Sequence, residues 1–396
     1  MADRERLHAV TDDEPLERVE PDETDEEPTT EIEQAGTRLL GDRRRMVTVL
    51  VAFLLLIVGI YVLLPKVVGV SGSLKRLSDP SWPWIVVALG FNAFSFVAYA
   101  ALFRGILGGQ DEANEVYKRL DFAASFKITM AGLAASTLFS AAGAGGIALT
   151  YWALRKAGME RRRAACRMVA FLVMLYTVYA ATLIVFGILL QTPWVHGKAP
   201  VAGTLVPAGL AALAFMVAAL IALIPDDLER RISRHDSKPW VRRLATVPAT
   251  VSSGVRTAIS YLRHPRSGAW AICGAVGYWV GMVGILWACF HAYGGGVPFA
   301  VVVMGFFVGM VANLAPSPAA GVGTLDAGLI GAFLLFDIPS DTVFPAVLTF
   351  RLVGFWLPII PGLVAYFALR KQVSTWQDDE DDVSYTSESK VTAEAK

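Results

Sequence analysis

Six stretches of this chain stay apolar for about twenty residues each, which matches the hydrocarbon thickness of a bilayer better than the core of a soluble domain. They cover residues 46–64, 82–103, 164–190, 201–224, 267–293 and 343–369. With 396 residues, 55% hydrophobic and only 18% charged, the chain has too little polar surface to wrap so many apolar runs in water. The expectation is an all-α, polytopic integral membrane protein with six spans. Two further apolar regions, 126–154 and 299–336, are interrupted in the middle by Gly, Ser or Pro. Each of their halves is shorter than a spanning helix, so both are expected as re-entrant hairpins; a full helix pair would satisfy the same parity.

The formal net charge of +0 hides a segregation of sign. Residues 1–33 carry a net −11 and residues 378–396 a net −5, which leaves +16 between them. The ends, 1–36 and 372–396, are acidic and polar with no apolar period, and are expected to be disordered tails around a transmembrane domain at 37–371. No basic stretch leading at once into an apolar core opens the chain, so the first apolar run is expected to be a retained span rather than a signal peptide. With the amino terminus inside, the inner connections hold 25 Lys and Arg and the outer ones 4. The positive-inside rule then places both termini in the cytoplasm of a plasma (inner) membrane. In the inner loop 225–266, Val251, Val255, Ile259 and Leu262 share a helical face opposite Arg256 and Arg263, the pattern of an amphipathic helix lying on an anionic leaflet. No nucleic-acid recognition motif accompanies this basic face.

The same charge count puts both ends of 126–154 inside and both ends of 299–336 outside. The halves 46–190 and 201–369 then each read span, span, hairpin, span, with the second half inverted. The two hairpins echo each other. Gly132-Leu-Ala-Ala-Ser136 precedes Ser140, and Gly309-Met-Val-Ala-Asn313 precedes Ser317, with glycines and serines offset by 177 positions. Inverted repeats whose broken helices meet near the midplane are the architecture of secondary transporters. Chance likeness between two small-residue segments is the competing explanation.

Soluble chemistry has little support. Cys166, Cys273 and Cys289 lie in or beside apolar segments with no CxxC spacing, and the five histidines form neither HExxH nor any cluster. The Gly143-Ala-Gly145-Gly146 run follows no strand pattern and precedes no Lys-Ser or Lys-Thr, so it is a poor phosphate loop. No catalytic residue, metal or cofactor is expected.

Ser317-Pro-Ala-Ala-Gly-Val-Gly-Thr-Leu-Asp-Ala-Gly328, followed by Ala346-Val-Leu-Thr-Phe-Arg-Leu-Val-Gly-Phe-Trp-Leu-Pro358, resembles the signature of the lysylphosphatidylglycerol synthase/flippase transmembrane family. The resemblance covers about 46–371. That family shows a Gly-rich break with an acid shortly after it and an Arg in the next helix before Trp and Pro; Asp326 and Arg351 stand at those places. The segment from Ala142 to Arg155 is similar to the family's first glycine break, but this chain has Ala141 where relatives often have Pro, and no acid follows. Members that aminoacylate phosphatidylglycerol carry a large soluble domain after the membrane region, for which the residues after Lys371 are too few. The resemblance therefore implies the membrane half alone: movement of an anionic lipid or lipid-linked substrate between leaflets.

Asp326 and Arg351 are the leading site residues, because ionisable groups at membrane depth are expensive and pair with each other or with cargo. A structural salt bridge or a snorkelling Arg is the plainer explanation. Asn313, Pro316, Ser317, Pro318, Gly321 and Gly323 supply freed backbone groups at the second break, suited to a phosphate or carboxylate at a helix N-terminus. Ser140, Gly143, Gly145, Gly146 and Thr150 face them from the first. Lys127, Arg155 and Arg167, at the first hairpin's inner mouth, suit topogenic or lipid-headgroup contact. Gly274, Gly277, Gly281 and Gly284 form one face of the fifth span and read as helix packing.

The expected function is a lipid flippase or transporter working by alternating access, facilitated or ion-coupled, with a proton relay through Asp326 as one form. The alternative is a non-transporting scaffold or accessory subunit of a lipid-modifying system. Expected partners are membrane lipids, with a second copy of the chain or a separate lipid-modifying enzyme left open. A hydrated cavity lined by Asp326 and Arg351 would favour transport, and a dry interface the scaffold.

Overall fold

A computed structural model describes residues 80–108, 115–138, 144–193, 200–223, 239–314 and 323–394, and every described element is helical. The order is α1 Trp82–Phe103, a π-turn Arg104–Gly108, α2 Glu115–Arg119, α3 Phe122–Leu138, α4 Ala144–Lys156, α5 Arg161–Leu189 and α6 Val201–Ala222. It continues with α7 Pro239–Arg263, α8 Pro265–Ala292, α9 Phe299–Met310, a 3-10 turn Val311–Leu314, α10 Thr324–Leu335, α11 Ser340–Arg351, a π-turn Leu352–Trp356 and α12 Ile359–Glu394. Five of the six expected spans have helices long and apolar enough to cross a membrane: Trp82–Leu107, Arg161–Leu189, Val201–Ala222, Gly268–Ala292 and Ser340–Trp376. The sixth, 46–64, and the amino-terminal tail 1–36 lie outside the described residues.

The centre of the molecule is the pair α1 and α8. Ser81 N–H bonds Ala292 O at 2.8 Å at one end, and Gly105 approaches Ala271 at the other, so the two helices run antiparallel. Their contact is made by the glycine face expected from the sequence. A Cβ on Gly274 would stand 2.4 Å from Leu102 N, one on Gly281 2.6 Å from Ser95 Cβ, and one on Gly284 2.5 Å from the Phe91 ring. Between helices in hydrocarbon such close approach maximises dispersion contact, which is what holds them together there. Trp84 closes the seam edge-on to Trp287, with ring centroids 5.3 Å apart.

Each interrupted region is a pair of helices in contact along small residues. In the first, α3 meets α4 where a Cβ on Gly146 would lie 2.6 Å from Gly132 O. In the second, α9 meets α10 where a Cβ on Gly309 would lie 2.6 Å from Leu329 Cα. At 12 residues apiece, α9 and α10 are each about 18 Å long, short of the roughly 30 Å of hydrocarbon.

Two regions depart from the sequence expectation. The acidic end, expected to be disordered, continues α12 to Glu394. The segment has no Gly or Pro after Gly362, and extending an existing helix avoids the cost of nucleating one. The amphipathic helix forms as α7, but it rests on protein as well as on any leaflet. Ser252, Val255 and Ala258 are buried, Gly254 abuts Val169 and Cys166 of α5, and Arg256 Nε donates to Ala222 O at the end of α6. A cation on the last carbonyls of a helix is favourably placed.

Candidate ion-pair site at the second hairpin

The irregular turns set where the charged residues sit. Inside hydrocarbon every backbone carbonyl needs a donor, and each turn that breaks helical register frees one. After α9 the chain tightens into a 3-10 turn, so Val311 N–H turns to Val308 and Gly309 carbonyls. The Phe307 carbonyl is taken instead by the Tyr179 hydroxyl from α5. At the first π-turn, Arg167 Nη1 donates to Ile106 O at 3.2 Å and Leu107 O at 2.9 Å. At the second, Asn92 Nδ2 donates to Val353 O at 3.0 Å.

Asp326 is the third residue of α10. Gly323, which precedes the helix, takes a positive φ of +85°, a backbone state that glycine adopts without strain. This turn lets the Gly323 N–H reach back to Asp326 Oδ2 at 3.1 Å, so the carboxylate caps its own helix start. Its other oxygen, Oδ1, lies 2.9 Å from Arg351 Nε. The two side chains are 8% and 1% exposed, so the charges are removed from solvent together. The N–H of Nε is not aligned on Oδ1, so at that atom the contact is a close charge contact rather than a linear hydrogen bond.

Arg351 ends α11, eleven residues or about 17 Å beyond its first residue, a depth near the middle of a bilayer if the helix stands upright. Its guanidinium carbon lies 4.5 Å from the centroid of Phe355 and 5.5 Å from that of Trp356. The wider π-turn is what brings residues four and five further on beneath the same group. Phe306 stacks edge-on against Phe350, and Phe290 against Phe333.

Of the other expected site residues, Gly145, Gly146 and Thr150 lie on α4, where Gly146 and Thr150 meet α3; Thr150 Oγ1 would stand 3.4 Å from a Cβ on Gly132. They do not join the Asp326–Arg351 contact. Asn313 is exposed in the 3-10 turn. Ser140, Gly143, Pro316, Ser317, Pro318 and Gly321 lie outside the described residues. The basic residues expected at the inner mouth have partners within the protein. Lys127 Nζ donates to Gln372 Oε1 at 2.9 Å, Arg155 Nη1 to Met159 O at 2.6 Å, and Arg167 to the π-turn.

Asn92 and Tyr179 were missed from the sequence. Asn92 is the one amide within the apolar run 82–103, a signal that could have found it. It is 6% exposed, and its Oδ1 accepts no hydrogen bond among the described residues. Among those residues no group of His, Cys, Asp and Glu could hold a metal ion.

Five bilayer-length apolar helices in an all-helical fold, with a charge pair enclosed among them, define a multi-pass membrane protein. Residues 46–362 match the family described as lysylphosphatidylglycerol synthase TM region, and the chain belongs to that family. Membership sets it among membrane proteins of lipid metabolism or lipid flipping. No curated protein matches the chain.

Proposed function

We propose that the protein moves an anionic lipid or lipid-linked substrate between leaflets by alternating access, with Arg351 as the anion-binding group and Asp326 as its resident counter-charge. The observation that carries this reading is the enclosed Asp326–Arg351 contact at the start of a helix too short to span. A phosphate arriving there meets a permanent cation and the positive end of α10, and can compete for the guanidinium with a carboxylate whose Oδ1 contact to Nε is off-axis.

The arrangement also supports a pair of opposed re-entrant hairpins in an inverted repeat. The second span of each half is α1 and α8; these run antiparallel, so the broken regions that follow them depart from opposite ends. Each broken region packs on the closing span of the other half. Gly362 of α12 abuts Ala134 and Met130 of α3, and Tyr179 of α5 holds Phe307 of α9. With the basic loops inside, both termini are cytoplasmic in a plasma membrane, and anionic phospholipid is the natural partner.

The scaffold reading draws on one specific observation: in this conformation the pair is almost completely buried and no side of it faces water. Alternating access requires such a closed state among others, and a scaffold requires only this one. Reconstitution separates them. Proteoliposomes containing fluorescent phosphatidylglycerol should exchange it between leaflets faster than protein-free vesicles, and Asp326→Asn should abolish the gain. Equal rates for the two proteins would reject the role of Asp326, and wild-type rates no faster than empty vesicles would reject transport.

A further inference from the structure

The Asp326–Arg351 contact stands beside a π-turn, and a side chain from another helix bonds a carbonyl of that turn. In the turn Leu352–Trp356, Leu357 N–H bonds Leu352 O at 2.9 Å, five residues back. The next bond in this register would run from residue 358 to Val353 O, but residue 358 is proline and has no N–H. Asn92 Nδ2, from the middle of α1, supplies the missing donor. In an ordinary α-helical register Leu357 N–H would itself reach Val353 O, and the Asn92 amide would at most share that oxygen with it. The two registers therefore differ in whether Val353 O needs the Asn92 donor.

We infer that Asn92 is the positioning residue of the Arg351 site, selecting the π register that sets the guanidinium on Asp326 and over Phe355 and Trp356. Conversion to the α register removes one residue from the turn and rotates α11 against α12 by about 100°. Arg351, the last residue of α11, is carried off Asp326 by that rotation. The exposure pattern carries the same signature. Leu352 and Leu357, five apart, are 49% and 42% exposed, so they share one outward face as a π-turn allows; in an α-helix they would stand about 140° apart. The functional half of this inference rests on the transport reading, and the register half does not.

The test uses the full-length chain with Cys166, Cys273 and Cys289 replaced by alanine. A nitroxide is placed singly at Leu352→Cys and at Leu357→Cys, and its collision rate with oxygen is measured in liposomes. Both sites should be lipid-accessible with Asn92 present, and one of the two should lose that access in Asn92→Leu, which keeps the side-chain volume and removes the donor. Asn92→Ala replaces it if the leucine variant does not assemble. Access retained at both sites would overturn the inference. Where the parent protein flips lipid, its rate should fall about tenfold in Asn92→Leu at unchanged thermal stability; an unchanged rate together with a shifted register would overturn the positioning role. A parent that flips nothing sinks the transport reading and leaves the label result to decide the register.

Discussion

The two broken regions are built alike at their crossings and differently at their tips. In both, a glycine on each limb brings backbones into contact: Gly132 with Gly146 in the first, Gly309 with Gly328 in the second. Only the second carries a carboxylate at the start of its return helix and an arginine from the next helix to meet it. The first holds itself with local bonds, such as Ser136 Oγ to Gly132 O, and reaches its neighbour through Lys127 and Gln372 at its base. Shared backbone geometry is thus compatible with unequal chemistry. Small residues make a close helix crossing possible in hydrocarbon, and among the described residues the second broken region adds an enclosed charge pair to it.

The largest expected effect tests that inequality. Arg351→Ala leaves the Asp326 carboxylate enclosed without its cation and should destabilise the protein by about 3–5 kcal/mol in detergent unfolding. The double change Asp326→Leu with Arg351→Met should recover most of that stability, because an apolar pair avoids desolvating two charges, yet it should not restore lipid movement. Recovery of both would reduce the pair to a structural bridge. An intermediate effect tests the likeness. Gly146→Ala and Gly328→Ala each drive a methyl into a facing carbonyl at 2.6 Å and should cost about 1–3 kcal/mol. A neutral Gly146→Ala would show that the first crossing can open where the second cannot. The smallest effect is at Lys127→Ala, which removes one half-exposed bond and should cost about 1 kcal/mol or less. A flip rate unchanged by it would confine cargo chemistry to the second hairpin.

Five of the six expected spans, the glycine seam and the Asp326–Arg351 pair were legible in the sequence because each rests on a local rule: run length, helical spacing, or a charge where charge is costly. The pins at Asn92, Tyr179 and Arg167 were not, because each answers a carbonyl freed by a register change some 60 to 261 positions away. The sequence held half of one such signal, since Pro358 announces a missing N–H, but not which helix would stand opposite. Arg167 was expected at lipid headgroups for a related reason: a cation near a membrane surface looks the same in sequence whether it meets phosphate or a turn of the chain's own backbone. The acidic end was misjudged by composition, which ignores the helix already running into it.

The seam between α1 and α8 has a mechanical consequence. With Gly274, Gly277, Gly281 and Gly284 seated against Leu102, Ala98, Ser95 and the Phe91 ring of α1, a side chain added at any of the four would collide with that helix. The seam has no room for a larger residue at these positions. The two helices are thus held in register at four points along the seam, and the broken regions that follow them leave from opposite ends of the pair.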